Sequence, residues 1–527
     1  MSINKNSFKQ FKIKSFIFLK KNYKELLVLF VILAVGSFFR LYKISEYMTF
    51  LGDEGRDAIL VRRFLVDFDL MLIGPGTSVG NMYLGPLYYY FISIGLWLAN
   101  FSPVGMSVQV AIVGILTIAF VYWVGREWFS KLAGTIAATL YAIAPTTIIF
   151  SRSSWNPNIM PFFSLLCVYS IWRAWKKDQY NWVLVSAISS AFVLQSHYLG
   201  LILMPVVAIF WAMTFLTSSA KSQEIDDKAP ITRFIKVSMF SLIAFLFLMS
   251  PLLIFDIRHG WMNYNAMKTF FTERSTVSVG LWDSVSKLPG ILNNISTRLL
   301  AGRMEGLGKA IVAVVSIPSI LLLLGRKRLH QNEASGFMTL TLWMVVGLIG
   351  LGLYNQSLHD HYLGFLFVPP FLFLGGFIDG ISENLSKIGK VVLALAFGFV
   401  IYTNLINNPL QYPPNRQMQR AQQVSEKIIV ESNGEAFNLA VLAERNYEDG
   451  YGYFLEKNGQ SILHADIWAK DTISDQLFVV CEKLKEECDP THSAKAEVAN
   501  FGWSDIESTW EVMGVTIYKL VHSKAVN

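Results

Sequence analysis

The residues best suited to chemistry in this chain begin at Asp53-Glu54, within Phe50-Leu51-Gly52-Asp53-Glu54-Gly55-Arg56-Asp57. Adjacent carboxylates can take a proton from a nucleophile, hold a cation, or orient a polar acceptor. Flanking glycines permit close approach of a ligand to the backbone. A polar-aromatic run follows, Gly74-Pro75-Gly76-Thr77-Ser78-Val79-Gly80-Asn81-Met82-Tyr83 and then Leu84-Gly85-Pro86-Leu87-Tyr88-Tyr89-Tyr90, in which Asn81 and Tyr83 are the candidate binding residues. Farther on come Ser151-Arg152 with Asn156, then Ser196-His197-Tyr198-Leu199-Gly200, Arg258-His259 and His359-Asp360-His361-Tyr362. Arg56, Arg152, Arg258, His197, His259 and His361 are cations or N–H donors suited to an anion. Three ordinary readings compete with these assignments: a solvated loop end, an interfacial arginine, a histidine that packs or caps a helix.

These residues sit among long apolar blocks. Hydrophobic residues make up 53% of the 527 positions and charged residues 16%, with a mean hydropathy of +0.41; a soluble domain carries roughly a quarter charged residues. Apolar runs lie near 26–42, 84–100, 104–124, 131–150, 157–175, 181–198, 200–217, 234–255, 308–325, 337–354, 363–379 and 389–406. A hydrocarbon core of roughly 30 Å needs about 20 helical residues. Backbone groups in lipid must be satisfied within the segment, so the blocks are helices. The expected class is an α-helical polytopic membrane protein with a small C-terminal α/β domain.

The net charge of +7 is concentrated before residue 25 (Lys5, Lys9, Lys12, Lys14, Lys20, Lys21, Lys24) and in short loops. That is the positive-inside pattern rather than a nucleic-acid surface. The stretch 1–25 reads as a retained cytoplasmic N-terminus, since no small-residue cleavage site follows the first apolar run. Basic runs at Arg173 to Lys177, Lys221 to Lys236, Arg326-Lys327-Arg328 and Lys387 to Lys390 then lie inside. Outside fall the connections 43–83 and 256–307, with Arg152, His197, Arg258-His259, His361 and the tail. This arrangement requires about eleven net crossings, with one block of 84–124 re-entrant or along the surface. The aromatic and charged residues of 260–307 suit an amphipathic helix on the outer face.

The tail, 407–527, contains strand-like runs at Phe437 to Leu442, Gln476 to Val480 and Val515 to Tyr518, and a helical stretch from Gly450 to Glu456. Cys481 and Cys488 can form a disulfide if the tail is extracytoplasmic; the third cysteine, Cys167, lies in an apolar block.

The order of these motifs resembles the C-type superfamily of membrane glycosyltransferases, in the branch of the protein O-mannosyltransferases and lipid A aminoarabinose transferases. Asp53-Glu54 matches that branch's Asp-Glu pair, and Leu84-Gly85-Pro86-Leu87 matches the end of its His-Pro-Pro-Leu-like motif without the His. Ala144-Pro145 with Ser151-Arg152, the run 196–200, and His361-Tyr362-Leu363-Gly364 before Pro369-Pro370 are also similar, over roughly residues 25–410. The resemblance implies a transmembrane catalytic domain over 26–406. It implies an inverting transfer of a hexose or pentose from a polyprenyl-phosphate-linked donor to an extracytoplasmic protein, lipid or glycan. Asp53 is then the candidate general base, with Glu54 orienting the acceptor. A charged group beside hydrocarbon costs about 2.5–3.5 kcal/mol unless used, which makes Arg152 and Arg258 candidates for the donor phosphate. A divalent cation is left open as a partner. A lipid or solute transporter and a surface-glycan polymerase or ligase are the alternatives; no internal repeat favours the transporter.

Overall fold

The computed structural model describes residues 5–272, 281–324, 331–354 and 356–523; the basic run Arg326-Lys327-Arg328 lies outside them. The chain begins as one helix, α1 (Lys5–Leu41), that continues back from the first apolar block through the lysine-rich segment. The 43–83 connection is folded. It holds α2 (Ile44–Tyr47), α3 (Gly52–Asp67) and a hairpin in which Gly76 pairs with Tyr83. The Asp-Glu pair therefore occupies the first turn of a helix, not a loop.

The helical body continues with α4 (Leu87–Leu98), α5 (Val104–Trp128), α6 (Lys131–Ile143), α7 (Pro145–Ile149), α8 (Met160–Lys177), α9 (Trp182–Ser196), α10 (Met204–Glu224) and α11 (Ala229–Arg258). The 256–307 connection carries α12 (Met262–Thr272) and α13 (Leu281–Leu299). Helix α13 is amphipathic: it buries Ile291, Ile295 and Leu299 against its neighbours and exposes Val285 and Lys287. Then come α14 (Glu305–Leu324), α15 (Gln331–Leu353), α16 (Pro369–Ser382) and α17 (Lys387–Ile406).

Among the described residues, five helical segments are long and apolar enough to cross a membrane: α5, Tyr198–Glu224, α11, α15 and α17. A sixth is counted if the turn Asp360–Leu366 and α16, bent by 55°, form one span. The blocks at 84–100, 131–150 and 181–198 form helices of 12, 13 and 15 residues. At 1.5 Å per residue these are roughly 18–22 Å long, short of the hydrocarbon thickness. The 131–150 block breaks at Ala144-Pro145, where extended Ala144 is followed by proline at the start of α7. Only 6% of the most apolar window of α11 is buried, and Met239, Phe240, Ile243 and Phe247 face outward, as lipid-facing side chains do.

The tail adds α18 (Gln417–Glu431), α19 (Asp449–Lys457) and α20 (Ala496–Phe501) around one sheet of five strands among the described residues. These are β1 (Phe437–Leu442), β2 (Ile462–Leu463), β3 (Gln476–Cys481), β4 (Ser504–Val512) and β5 (Val515–His522). Their order is β2-β1-β3-β5-β4, parallel across β2, β1 and β3 and antiparallel through β5 and β4. Every residue of β1 and β3 is buried, as expected for parallel strands covered on both faces. Cys481 and Cys488 are disulfide-bonded. One apolar cluster joins this region to the 43–83 connection, with Phe50, Ala58 and Val61 packed among Tyr451, Tyr453, Phe454 and Leu455.

Candidate active site

Helix α3 separates the two adjacent carboxylates. Glu54, in its first turn, turns back and accepts the Leu51 N–H at 3.0 Å, which satisfies one of the helix's unpaired donors. It is only 5% exposed, and burial, reinforced by Asp53 and Asp57, pushes its carboxyl up to about 7. Glu54 thus caps the helix and is not among the residues lining the cavity described below.

Asp53 lies one residue, or about 100° of helical rotation, away. Its side chain is 44% exposed and its Oδ1 accepts from Arg56 Nη1 at 3.0 Å. The Arg56 guanidinium reaches on to Asp57 Oδ1 at 2.8 Å, and the Tyr89 hydroxyl donates to the same oxygen at 3.0 Å. Asp57 is fully buried. Against the cost of burial, the carboxylates of Asp57 and Asp53 hold Arg56 above the ordinary arginine range.

The C-terminal region reaches this turn. The Tyr447 hydroxyl donates to Asp53 Oδ1, and its ring packs on Gly52, where a β-carbon would lie 2.3 Å from Cε2. At Gly55 a β-carbon would lie 2.3 Å from the Asp449 carbonyl oxygen and 2.4 Å from Gly450 N. The two glycines therefore admit the chain's own tail. That replaces the expectation that they make room for a ligand.

Asp53 and Arg56 open on a cavity of about 240 Å³ lined also by Thr77, Ser78, Trp155, Asn156, His197, Tyr198, His361 and Tyr362. The hairpin at 75–78 covers one side, held by Gly74 N–H to Leu84 O (2.7 Å) and Leu84 N–H to Pro75 O (2.9 Å). Asn156 is fixed by its Nδ2 donating to Ser196 O at 2.6 Å. Rings form the far wall. His361 lies 4.3 Å from Trp155 and 4.4 Å from Tyr362, and His197 lies 4.7 Å from Tyr362, between ring centres. Burial first, then the neighbouring His361, push the His197 imidazole down to about 3. Its Nδ1 accepts the Leu199 N–H at 3.2 Å, so the proton sits on Nε2. At neutral pH His197 offers an N–H donor and no charge. Arg56 is the only Lys or Arg among the described residues lining this cavity.

Of the residues singled out from sequence, Asp53, Arg56, Asn156, His197, His361 and Tyr362 share this cavity; the others do not. Arg152 donates to the carbonyls of Phe39 and, at 2.7 Å, Tyr42, and lies 5.2 Å from the Tyr47 ring centre, so it clamps the end of α1. Asn81 and His259 line a separate cavity of about 450 Å³, and His259 stacks on Phe255. The Tyr83 N–H donates to Asn263 Oδ1 at 2.7 Å, and Arg258 is exposed at the end of α11. Among the described residues no group of three or more His, Cys, Asp or Glu is arranged to hold a metal ion. Sequence reasoning missed Trp155, Asp57 and Tyr447. Asp57 follows Asp53 by one helical turn, a spacing that could have flagged it; Tyr447 carries no local signal.

Comparison with known proteins follows the same lines. Residues 84–255 match the dolichyl-phosphate-mannose-protein mannosyltransferase family, a third of the chain that excludes Asp53. No curated protein matches the sequence. Among solved structures, the chain resembles ArnT from Cupriavidus metallidurans bound to undecaprenyl phosphate, at 11% identity and a TM-score of 0.58, over 94% of this chain and 98% of that one. It also resembles the archaeal oligosaccharyltransferase AglB from Archaeoglobus fulgidus in complex with an inhibitory peptide and a dolichol-phosphate. There the identity is 14% and the TM-score 0.51, over 88% of this chain and 70% of that one. The chain thus shares the fold of these membrane glycosyltransferase structures, and within its helical body residues 84–255 are similar to the mannosyltransferase family.

Proposed function

We propose that the protein transfers a sugar, with inversion, from a polyprenyl-phosphate-linked donor to an acceptor hydroxyl, with Asp53 as general base. The observation that carries this reading is the cavity in which a half-exposed carboxylate and a guanidinium meet a wall of aromatic rings. The acceptor oxygen attacks the anomeric carbon, the bond from that carbon to the phosphate oxygen breaks, and the acceptor proton passes to Asp53. Polyprenyl phosphate leaves with the bonding electrons. As Asp53 becomes neutral its hold on Arg56 weakens, and the guanidinium turns to the extra charge on the departing phosphate. His197 Nε2–H adds a neutral donor, and Trp155, Tyr198 and Tyr362 offer faces for a sugar ring.

In this reading the site faces the extracytoplasmic side together with residues 407–527. Glu25 on α1 pairs with Arg126 (2.7 Å) and Lys131, so the basic α5–α6 turn lies at the end of the bundle away from Asp53. That polarity supports a cytoplasmic basic face and an opposite catalytic face.

The test is Asp53→Asn in purified protein. Tritiated polyprenyl-phosphate mannose and polyprenyl-phosphate arabinose are supplied in parallel, with membranes of cells lacking the protein as the acceptor source. A loss of about 10²-fold or more is expected, since a positioned base contributes roughly 10²–10⁴. Unchanged transfer by the variant would refute Asp53 as base, and absence of transfer by the wild type from both donors would refute the donor class.

A further inference from the structure

Residues 407–527 could simply be a lid beside the catalytic body, but one of their side chains touches the candidate base. We infer that Tyr447 is a positioning residue for Asp53, supplied by the C-terminal sheet region to complete a site otherwise built from the helical body. This rests on the reading of Asp53 as base.

Three contacts carry the inference. The Tyr447 hydroxyl and Arg56 Nη1 both donate to Asp53 Oδ1, which fixes the plane of the carboxylate and reserves Oδ2 for the acceptor hydroxyl. The ring of Tyr447 cannot withdraw toward α3, because it already fills the space where a side chain at position 52 would begin. The segment bearing it is tied to the sheet. Asn446 Oδ1 accepts the Tyr447 N–H at 2.9 Å, and Asn446 Nδ2 donates to Glu482 Oε1 at 2.7 Å, just past the end of β3. Glu482 also accepts from the Tyr451 hydroxyl at 2.6 Å. A rigid path thus runs from β3 through Glu482 and Asn446 to the hydroxyl on Asp53. Burial and the Asp53 hydrogen bond both hold the Tyr447 phenol far above its usual range, so it acts as a fixed donor rather than a proton carrier. The other charged or titratable groups near Asp53 are Glu54, Arg56 and Asp57 on α3, Asp449 from the tail and His361 from the Asp360–Leu366 turn.

The experiment uses the full chain and the same two tritiated donors. Tyr447→Phe keeps the ring against Gly52 and removes only the hydroxyl. Expected are a kcat lower by about tenfold, as for loss of one hydrogen bond to a charged group, an unchanged KM for the donor lipid, and an unchanged thermal midpoint. In an Asp53→Asn background the same substitution causes no further loss, because the two groups act as a unit. Asn446→Ala, which leaves the ring and hydroxyl in place but frees their support, gives a smaller fall in kcat with the same KM. Wild-type kcat in Tyr447→Phe, or an equal loss with and without Asp53, overturns the inference. If Asp53→Asn itself transfers at the wild-type rate, the base assignment fails and the inference falls with it, a result distinct from the first two.

Discussion

Gly55→Ala tests the contact between α3 and the tail most directly. A β-carbon at residue 55 would lie 2.3 Å from the Asp449 carbonyl oxygen and 2.4 Å from both Asp449 C and Gly450 N, whereas ordinary contact begins at 3.4 Å. All three atoms are backbone, so no rotamer change relieves the overlap, and the start of α19 must retreat by about 1 Å. Overpacking of this kind costs about 1–3 kcal/mol. Replacing glycine inside a helix by alanine returns about 1 kcal/mol, leaving a net destabilisation of roughly 0–2 kcal/mol. The functional effect is expected to be larger, because Tyr447 rides on the displaced segment, and a misplacement of about 1 Å can cost on the order of 10²-fold in rate. Gly52→Ala is the informative partner. The three atoms nearest its β-carbon all belong to the Tyr447 ring, a side chain that can rotate away, so stability should hold while the hydroxyl leaves Asp53. Thermal midpoints in detergent, trypsin cleavage within 407–527 and transfer rates are measured for both variants. Wild-type transfer and unaltered cleavage in Gly55→Ala would refute the claim that the tail's approach to α3 builds the site.

Two further substitutions concern Glu54 and Arg152, which do not line the cavity. Glu54 keeps its proton to about pH 7 when folded, against an ordinary 4.5, so its contribution to stability is present below about pH 4.5 and lost as pH rises through 7. Glu54→Gln should leave the thermal midpoint unchanged at pH 5 and raise it at pH 8, where the gain in stability is at most about 3 kcal/mol from the size of the shift; a lower midpoint at pH 8 would show that the buried carboxylate is needed ionised. Arg152→Met should lower the thermal midpoint, through loss of the clamp on Phe39 and Tyr42, while the donor KM stays at the wild-type value. A selective rise in that KM would return Arg152 to the phosphate site.

Residue types and their linear order determined a good deal. Apolar runs without charges can satisfy their backbone in lipid only as helices, so the class of the body followed from composition and block length. The strands β1 and β3 were legible as short strand-like runs, and the Asp-Glu pair, the Ser-His-Tyr run and His361-Tyr362 marked candidate polar chemistry beside helix ends. Tertiary structure decided the division of labour within those motifs. Asp53 and Glu54 are neighbours in sequence, but a helix starting at Gly52 turns them about 100° apart, one toward the cavity and one back onto its own cap. Arg152 looked like a phosphate ligand by type and became a clamp because two unpaired carbonyls at the end of α1 lie within its reach. The site's third neighbour, Tyr447, stands 394 residues from Asp53. No periodicity or spacing encodes a contact across that distance; packing of the sheet region onto two glycines creates it. The first acidic pair was therefore readable as a candidate, while the contact of Tyr447 with its aspartate could be found only in three dimensions.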